Sequence, residues 1–368
     1  MMKTSPSFKK TPGSRNCFTR IGTVLEPDGS LHVNHSRFQR VGPVRIVAIG
    51  GGTGLSMLLR GLKSYVAPHH RENSHHPIAD LAAVVTVTDD GGSSGRLRRE
   101  YGVLPPGDLR NCMVALSEDE ALLSRLFQYR FSSGRGLRGH SFGNLFLTAL
   151  SHITGDFTHA VRVSSEVLAI RGRIFPSTNQ LVSLEATLEN GKVIAGETHI
   201  GATRVPIRRV HLVPRRVKPL PEVLEAIASA NLILLGPGSL FTSIIPNLLV
   251  SGVAEAIEKC SARRVYIANL MTQPGETLGY TLVDHVRAIH QHTGRKIIDC
   301  VVMNDQPLAP DVLRRYKSEG AEPVLIDSAG LQRMGLQCVF ANLLEVHGVV
   351  RHNSSRLASL LIEKLGRK

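Results

Sequence analysis

Two carboxylates, Asp89 and Asp90, stand side by side at the end of an apolar run and open into Gly91, Gly92, Ser93, Ser94 and Gly95. Paired carboxylates at a strand end can hold a hydrated Mg2+, hydrogen-bond a sugar hydroxyl or orient a nucleophile, while the Ser/Gly run offers donors to an anion. The alternative is a solvated loop in which one Asp caps the next helix. Three further glycine-rich loops also follow apolar runs. They are Gly50, Gly51, Gly52, Thr53 and Gly54; Gly236, Pro237, Gly238 and Ser239; and Asn269, Leu270, Met271, Thr272, Gln273, Pro274 and Gly275. Amides of glycine turns and helix starts bind anions, so the four loops together point to a phosphorylated ligand. The Gly50 loop is not G-x-G-x-x-G, because its sixth position is Leu55, and not a Walker A loop, because no Gly-Lys-Ser/Thr follows.

Other candidates surround these loops. Arg96 follows the Asp89 loop and can grip a phosphate with two parallel hydrogen bonds, or simply coat a helix surface. Asp108 reads as the N-cap of a helix with Arg110 in its first turn and Asn111 beside it. A cation there opposes the helix dipole; either a bound anion resolves the conflict or Arg110 points to solvent. His140 precedes another helix that begins near Asn144; it is a general acid, a phosphate donor or a structural residue, with Ser141 as the cap. The hydroxyls of Ser239, Thr242 and Ser243 suit a diphosphate. Each helix terminus contributes roughly 0.3–1 kcal/mol toward an anion, whereas micromolar affinity needs about 8 kcal/mol. Arginine pairing and burial of a nucleoside or sugar must supply the difference, which favours a nucleotide conjugate over free phosphate.

The elements that must position these groups follow a simple alternation. Short apolar runs at 44–49, 81–88, 232–235, 265–268, 297–303 and 323–326 predict six parallel strands, with helix-period stretches between them. Leu55, Leu58, Leu59 and Leu62 give the first such stretch one apolar face. The expected fold is an α/β, Rossmann-like open and mostly parallel sheet, whose loops gather where strand order reverses. Period-two alternation at 181–189, then Asn190-Gly191, then 192–200, predicts an antiparallel hairpin. An antiparallel β subdomain is therefore expected at 171–219 inside a domain spanning 44–327. Residues 328–368 are expected to be an extension packed on that domain, with one apolar run at 339–346 and a closing helix near 357–365.

Composition narrows the function classes. The 368 residues are 42% hydrophobic and 20% charged with a formal charge of +14, and no apolar run approaches the ~20 residues of a membrane span. Residues 1–43 form a basic leader, expected to be disordered, without a signal-peptide core. The five cysteines are widely spaced, show no CxxC pairing and imply reduced thiols in a cytoplasmic protein. Nucleic acid is not the expected partner, although the cationic strip at 204–218 and the leader keep that reading in view.

Taken together, the Gly50 loop with Leu58, Leu59, Arg60, Gly61 and Leu62, the run from Thr88 to Arg98, and the Pro106 to Asn111 segment resemble the YvcK/CofD-like superfamily. So do His140 to Asn144, Gly236 to Ser239 with Pro246 to Val250, and Asn269 to Thr277. The resemblance covers about residues 44–327. Its CofD branch is a 2-phospho-L-lactate transferase that moves a phospholactyl group from a guanylyl donor to a deazaflavin alcohol with Mg2+. Its YvcK branch, called gluconeogenesis factor, is tied to cell shape and carbon-source adaptation and binds UDP-sugars such as UDP-N-acetylglucosamine. Ser93 to Arg98 and Met271 to Glu276 look like the second branch. The resemblance then implies a non-catalytic UDP-sugar binder with no required cofactor, expected to form a homo-oligomer, with any protein partner left unidentified. Gly51, Gly52, Thr53, Gly54, Gly236, Gly238 and Ser239 would cradle the phosphates, and Arg96 or Arg110 would pair with them. Asn269, Thr272 and Gln273 would line the sugar or base, with Gly91, Gly92, Ser93, Ser94, Asp108, Asn111, His140 and Asn144 completing the pocket. The alternative is a Mg2+-dependent transferase with Asp89 and Asp90 as metal ligands and candidate catalytic groups.

Overall fold

The chain is described here by a computed structural model covering residues 43–67, 77–118 and 122–366. The leader at 1–42 lies outside the described residues. Seven strands, all parallel, form the main sheet: β1 (Val44–Gly50), β2 (Ile78–Val85), β3 (Arg173–Pro176), β7 (Leu232–Leu235), β8 (Arg263–Ile267), β9 (Cys300–Asn304) and β10 (Gln337–Ala341). Their order is β10-β9-β8-β7-β1-β2-β3. Central strands covered on both faces must be apolar throughout, and Leu232, Ile233, Leu234 and Leu235 are all fully buried. The chain moves outward from β1 to β3 and then returns to place β7 on the other side of β1. Strand order therefore reverses between β1 and β7, where Ile46 to Ile49 pair with Leu232 to Leu235.

The predicted apolar face of the first helix, α1 (Gly52–Lys63), is the one that packs: Leu55, Leu58, Leu59 and Leu62 are completely buried. The strand expected at 323–326 does not form. Pro323 and Leu325 make only isolated bridges, to Met271 and Thr281, and Leu325 is 66% exposed. The sheet takes β10 instead, paired to β9 through Cys338↔Val301 and Val339↔Val302. The C-terminal region thus supplies an edge strand rather than merely lying against the sheet. It then forms a hairpin of β11 (Leu344–His347) and β12 (Val349–His352).

The antiparallel subdomain is present with altered limits. Its strands are β4 (Ser183–Leu188), β5 (Val193–Ala195) and β6 (Ile207–Val213), ordered β5-β4-β6. Leu184, Ala186 and Leu188 point inward, as alternation demands, and Gly191 at φ +82° makes the turn. Beyond Ala195 the expected strand gives way to the helix Glu197–Ala202, because the Thr198 amide and hydroxyl bind the Asp90 carboxylate at 2.9 and 2.8 Å. At its other limit, β3 falls within the span expected to be antiparallel yet pairs in parallel with β2.

Two buried histidines set an acid limit on stability. His285 is fully buried against Tyr266 (2.8 Å), and His352 is 4% exposed; burial pulls both pKa values from 6.5 down to about 4. Between those values the unfolded chain binds more protons, so stability is complete above pH 6.5 and drains as pH falls toward 4. Each histidine should cost about 2 kcal/mol by pH 5. Urea midpoints of the wild type and of His352→Gln measured at pH 7 and pH 5 check this, and an equal change in both proteins would contradict it.

Candidate functional site

Three of the four glycine-rich loops meet at the reversal point. Gly51 to Gly54 after β1, Pro237 to Ser239 with Ser243 after β7, and Asn269 to Pro274 after β8 line one cleft of about 540 Å3. That is the usual size of a ligand pocket. The facing wall comes from Tyr316, Glu319, Ala321 and all four residues of β12. The Tyr316 hydroxyl accepts the Val350 N–H at 2.7 Å and so anchors the hairpin there. Among the described residues lining the cleft, Arg351 alone carries a permanent positive charge. A larger cavity of about 730 Å3 lies beside β3 at the sheet edge, but it contains none of these loops.

Much of the glycine content has a packing cause. A Cβ on Gly54 would lie 2.3 Å from the Pro237 carbonyl oxygen, so the β1 and β7 loops touch only because this position lacks a side chain. Gly52 has φ +62°, the left-handed region, and its N–H donates to the Asp108 carboxylate at 2.7 Å. Gly54→Ala should therefore lower stability by about 1–3 kcal/mol through forced separation of the loops. Denaturant unfolding measures this; an unchanged midpoint would mean the loops yield without cost.

Hydrogen bonds join the β7 and β8 loops into one cradle. The Gly238 N–H donates to Asn269 Oδ1 (3.3 Å), and Gln273 Nε2 donates to Ser239 Oγ (2.7 Å). Glu276 is buried and accepts from the Phe241 N–H and the Thr242 hydroxyl, both at 2.9 Å, at the start of the π-helical segment Leu240–Ile244. Thr272 binds Glu322 through both its amide and its hydroxyl. A π-helical turn beside a ligand loop is a recurrent device at functional sites.

The fourth loop does not line that cleft but forms a polar network joined to it through the Asp108–Gly52 hydrogen bond. Asp89 accepts the Gly91 N–H at 2.9 Å, ahead of α2 (Gly92–Tyr101). Ser93 Oγ meets His140 Nδ1 at 2.9 Å and Asn144 Nδ2 at 3.1 Å, and Ser94 accepts the Gly107 N–H at 3.1 Å. Burial, then the nearby Arg96 charge, lowers the His140 pKa. Ser141 caps the helix Phe142–Thr154, as expected. Asp108 lies inside the first turn of α3 (Gly107–Leu116) rather than at its N-cap, because its carboxylate is turned to Gly52 of α1. Burial, then the neighbouring Asp89 charge, raises its pKa to about 6. Arg110 does not reach solvent; it is 8% exposed, bonded to Ser141 and to Asn111 Oδ1, with its Nε unpartnered among the described residues. Arg96 donates to the Arg138 carbonyl at 2.8 Å. Neither arginine lines the cleft.

Three groups escape a reading of the sequence. Arg351 sits in the C-terminal hairpin, Glu276 belongs to a motif without an assigned role, and Glu197 falls in a stretch expected to be a strand. The Glu197 carboxyl is pushed well above its ordinary pKa by burial first, then by Asp108, Asp89, Glu276 and Asp90. Among the described residues no three His, Cys, Asp or Glu side chains come close enough to cage a metal ion. The carboxylates nonetheless crowd one another closely enough to disfavour one another's charge.

Comparison with known proteins places this geometry. Residues 46–344 match the profile of the family described as 2-phospho-L-lactate transferase CofD. The gluconeogenesis factor of Bacillus subtilis is 48% identical over 87% of this chain and 98% of its own length. A Nostoc relative is 50% identical over 97% of this chain and 76% of its own. A solved structure of a UPF0052 family member from Bacillus halodurans superimposes with a TM-score of 0.82 at 45% identity, over 88% of this chain and all of that one.

Proposed function

Since the chain belongs to the CofD family, among relatives named gluconeogenesis factor, we propose that it is a regulatory UDP-sugar-binding protein. The observation that carries this reading is the cleft at the strand-order reversal, bounded by three polar loops and a single arginine. The diphosphate would lie between Gly51 to Gly54, Gly238, Ser239 and Arg351, with Asn269 to Gln273 along the sugar or base. The protein would act in the cytoplasm, linking a nucleotide sugar such as UDP-N-acetylglucosamine to carbon-source adaptation and cell-shape maintenance. Calorimetric titration with UDP-N-acetylglucosamine should give a saturable isotherm near micromolar concentration. Absence of heat well above that range for both UDP-N-acetylglucosamine and UDP-glucose would end this reading.

A Mg2+-dependent group transfer is the second reading, favoured by the crowded carboxylates next to the cradle. Asp89, Asp90 and Asp108 each already accept hydrogen bonds, from Gly91, Thr198 and Gly52. The Asp89 charge raises the Asp108 pKa, a repulsion that a hydrated Mg2+ held by Asp89 with Asp90 or Asp108 would relieve. Bound there, the ion would neutralise charge on a transferring phosphoryl group. Incubation with Mg2+ and nucleotide-linked donors, followed by product analysis, tests it; no turnover across such donors would set it aside.

A further inference from the structure

We infer that the outward side of the antiparallel subdomain is a docking surface for the anionic phospholipid face of a bilayer. This inference stands independently of the ligand assigned to the cleft. Six cations, Arg204, Arg208, Arg209, Arg215, Arg216 and Lys218, fall in a stretch, 204–218, that contains no acid, and all six are exposed. None of them forms an ion pair among the described residues. Consecutive strand residues normally point to opposite faces. Here the register shifts, with Thr187 opposite Arg209 and Leu188 opposite Ile207, and both Arg208 and Arg209 reach solvent.

Aliphatic side chains accompany this charge. Val193 is 54% exposed, Leu181 47% and Val213 40%. Val193, Thr187 and Arg209 form one cross-strand row, so an aliphatic and a cation share a face of the sheet. Thr187, Arg208, Arg209, Gln291 and His292 also enclose a recess of about 500 Å3, large enough for a phosphate headgroup.

The chemistry selects among polyanions. No Phe, Tyr or Trp occurs at 181–220, so there is no platform on which bases could stack. The same stretch lacks Met, and protein interface cores are enriched in aromatic residues and Met. Long cationic side chains reaching headgroup phosphates, with aliphatic side chains entering the acyl boundary, suit a membrane surface. Among the described residues no single helix is long and apolar enough to cross a membrane.

Co-sedimentation of the full chain with vesicles tests the surface. The protein should partition onto phosphatidylglycerol vesicles at about 100 mM salt, release at about 500 mM, and ignore pure phosphatidylcholine. Changing Arg208, Arg209, Arg215 and Arg216 to Gln should cut partitioning by at least about 100-fold, with the thermal midpoint held to confirm folding. Val193→Asp with Val213→Asp should also weaken binding while every cation remains. Equal sedimentation of the Gln variant would overturn the proposal and assign attachment to the basic leader, which that variant retains. Absence of wild-type binding, or tighter binding to a single-stranded RNA or polyglutamate than to the vesicles at equal salt, would overturn it as well.

Discussion

Arg351→Ala should weaken UDP-N-acetylglucosamine binding by about 30- to 150-fold, the loss expected for about 2–3 kcal/mol of charge-assisted hydrogen bonding to a phosphate. Positive charge is scarce among the described residues that line the cleft. The backbone donors nearest the reversal point are partly committed: the Gly52 N–H to Asp108, and the Gly238 N–H to Asn269. A diphosphate entering this cleft meets Arg351 as its one permanent counter-charge among the described lining residues. The side chain is exposed and lies on a strand fixed by Tyr316, so its removal should leave the melting temperature nearly unchanged. Arg351→Lys should fall between, because an ammonium keeps the charge but loses the planar fork. Calorimetry on the three proteins decides the point; equal affinities would place the phosphates away from β12.

Arg351 also shows where the sequence stops being readable. The loops are legible because glycine, proline and hydroxyl residues follow strongly apolar runs, and the strands those runs form are buried on both faces. The first helix is legible because four leucines share one face. What glycine composition does not reveal is purpose: Gly54 looks like a ligand position, yet the Pro237 carbonyl explains it. Edge strands are hidden for a related reason. β3 is four residues long with partial exposure, and β10 overlaps only the start of the apolar run at 339–346 and opens on Gln337, so neither carries the continuous apolar signature of the centre. Arg351 sits beyond residue 344, where the family match ends, in a short hairpin whose placement depends on contacts remote in sequence. Spacing cannot bring residue 351 to residue 52. Only the returning path of the chain does so.

Asp108→Asn should raise stability near neutral pH by about 2–3 kcal/mol, an effect opposite in sign to most substitutions in this site. The Asp108 carboxyl has a folded pKa of about 6 against an ordinary 3.8, because burial and then the Asp89 charge disfavour its ionised form. The folded protein therefore binds more protons than the unfolded chain between those values, and stability declines as pH rises from about 4 to about 6. Above pH 6 the whole cost is present. The side-chain amide of the variant would keep an oxygen for the Gly52 N–H while removing the charge. The gap between variant and wild type, measured by urea unfolding, should be widest above pH 6 and close by about pH 4. This trend opposes the histidine trend, and the buried Glu197 and Glu276 carboxyls, whose pKa values burial also raises, act in the same direction as Asp108. The same variant separates the two functional readings. A protein that only binds a UDP-sugar should tolerate or gain from losing a negative charge beside the phosphate cradle. One that uses Mg2+ should lose its metal-dependent turnover even as it becomes more stable, because the side-chain amide is a far weaker ligand for Mg2+ than the carboxylate it replaces. Tighter ligand binding together with a higher unfolding midpoint would favour the regulator, and a higher midpoint with abolished Mg2+-dependent product formation would favour the transferase.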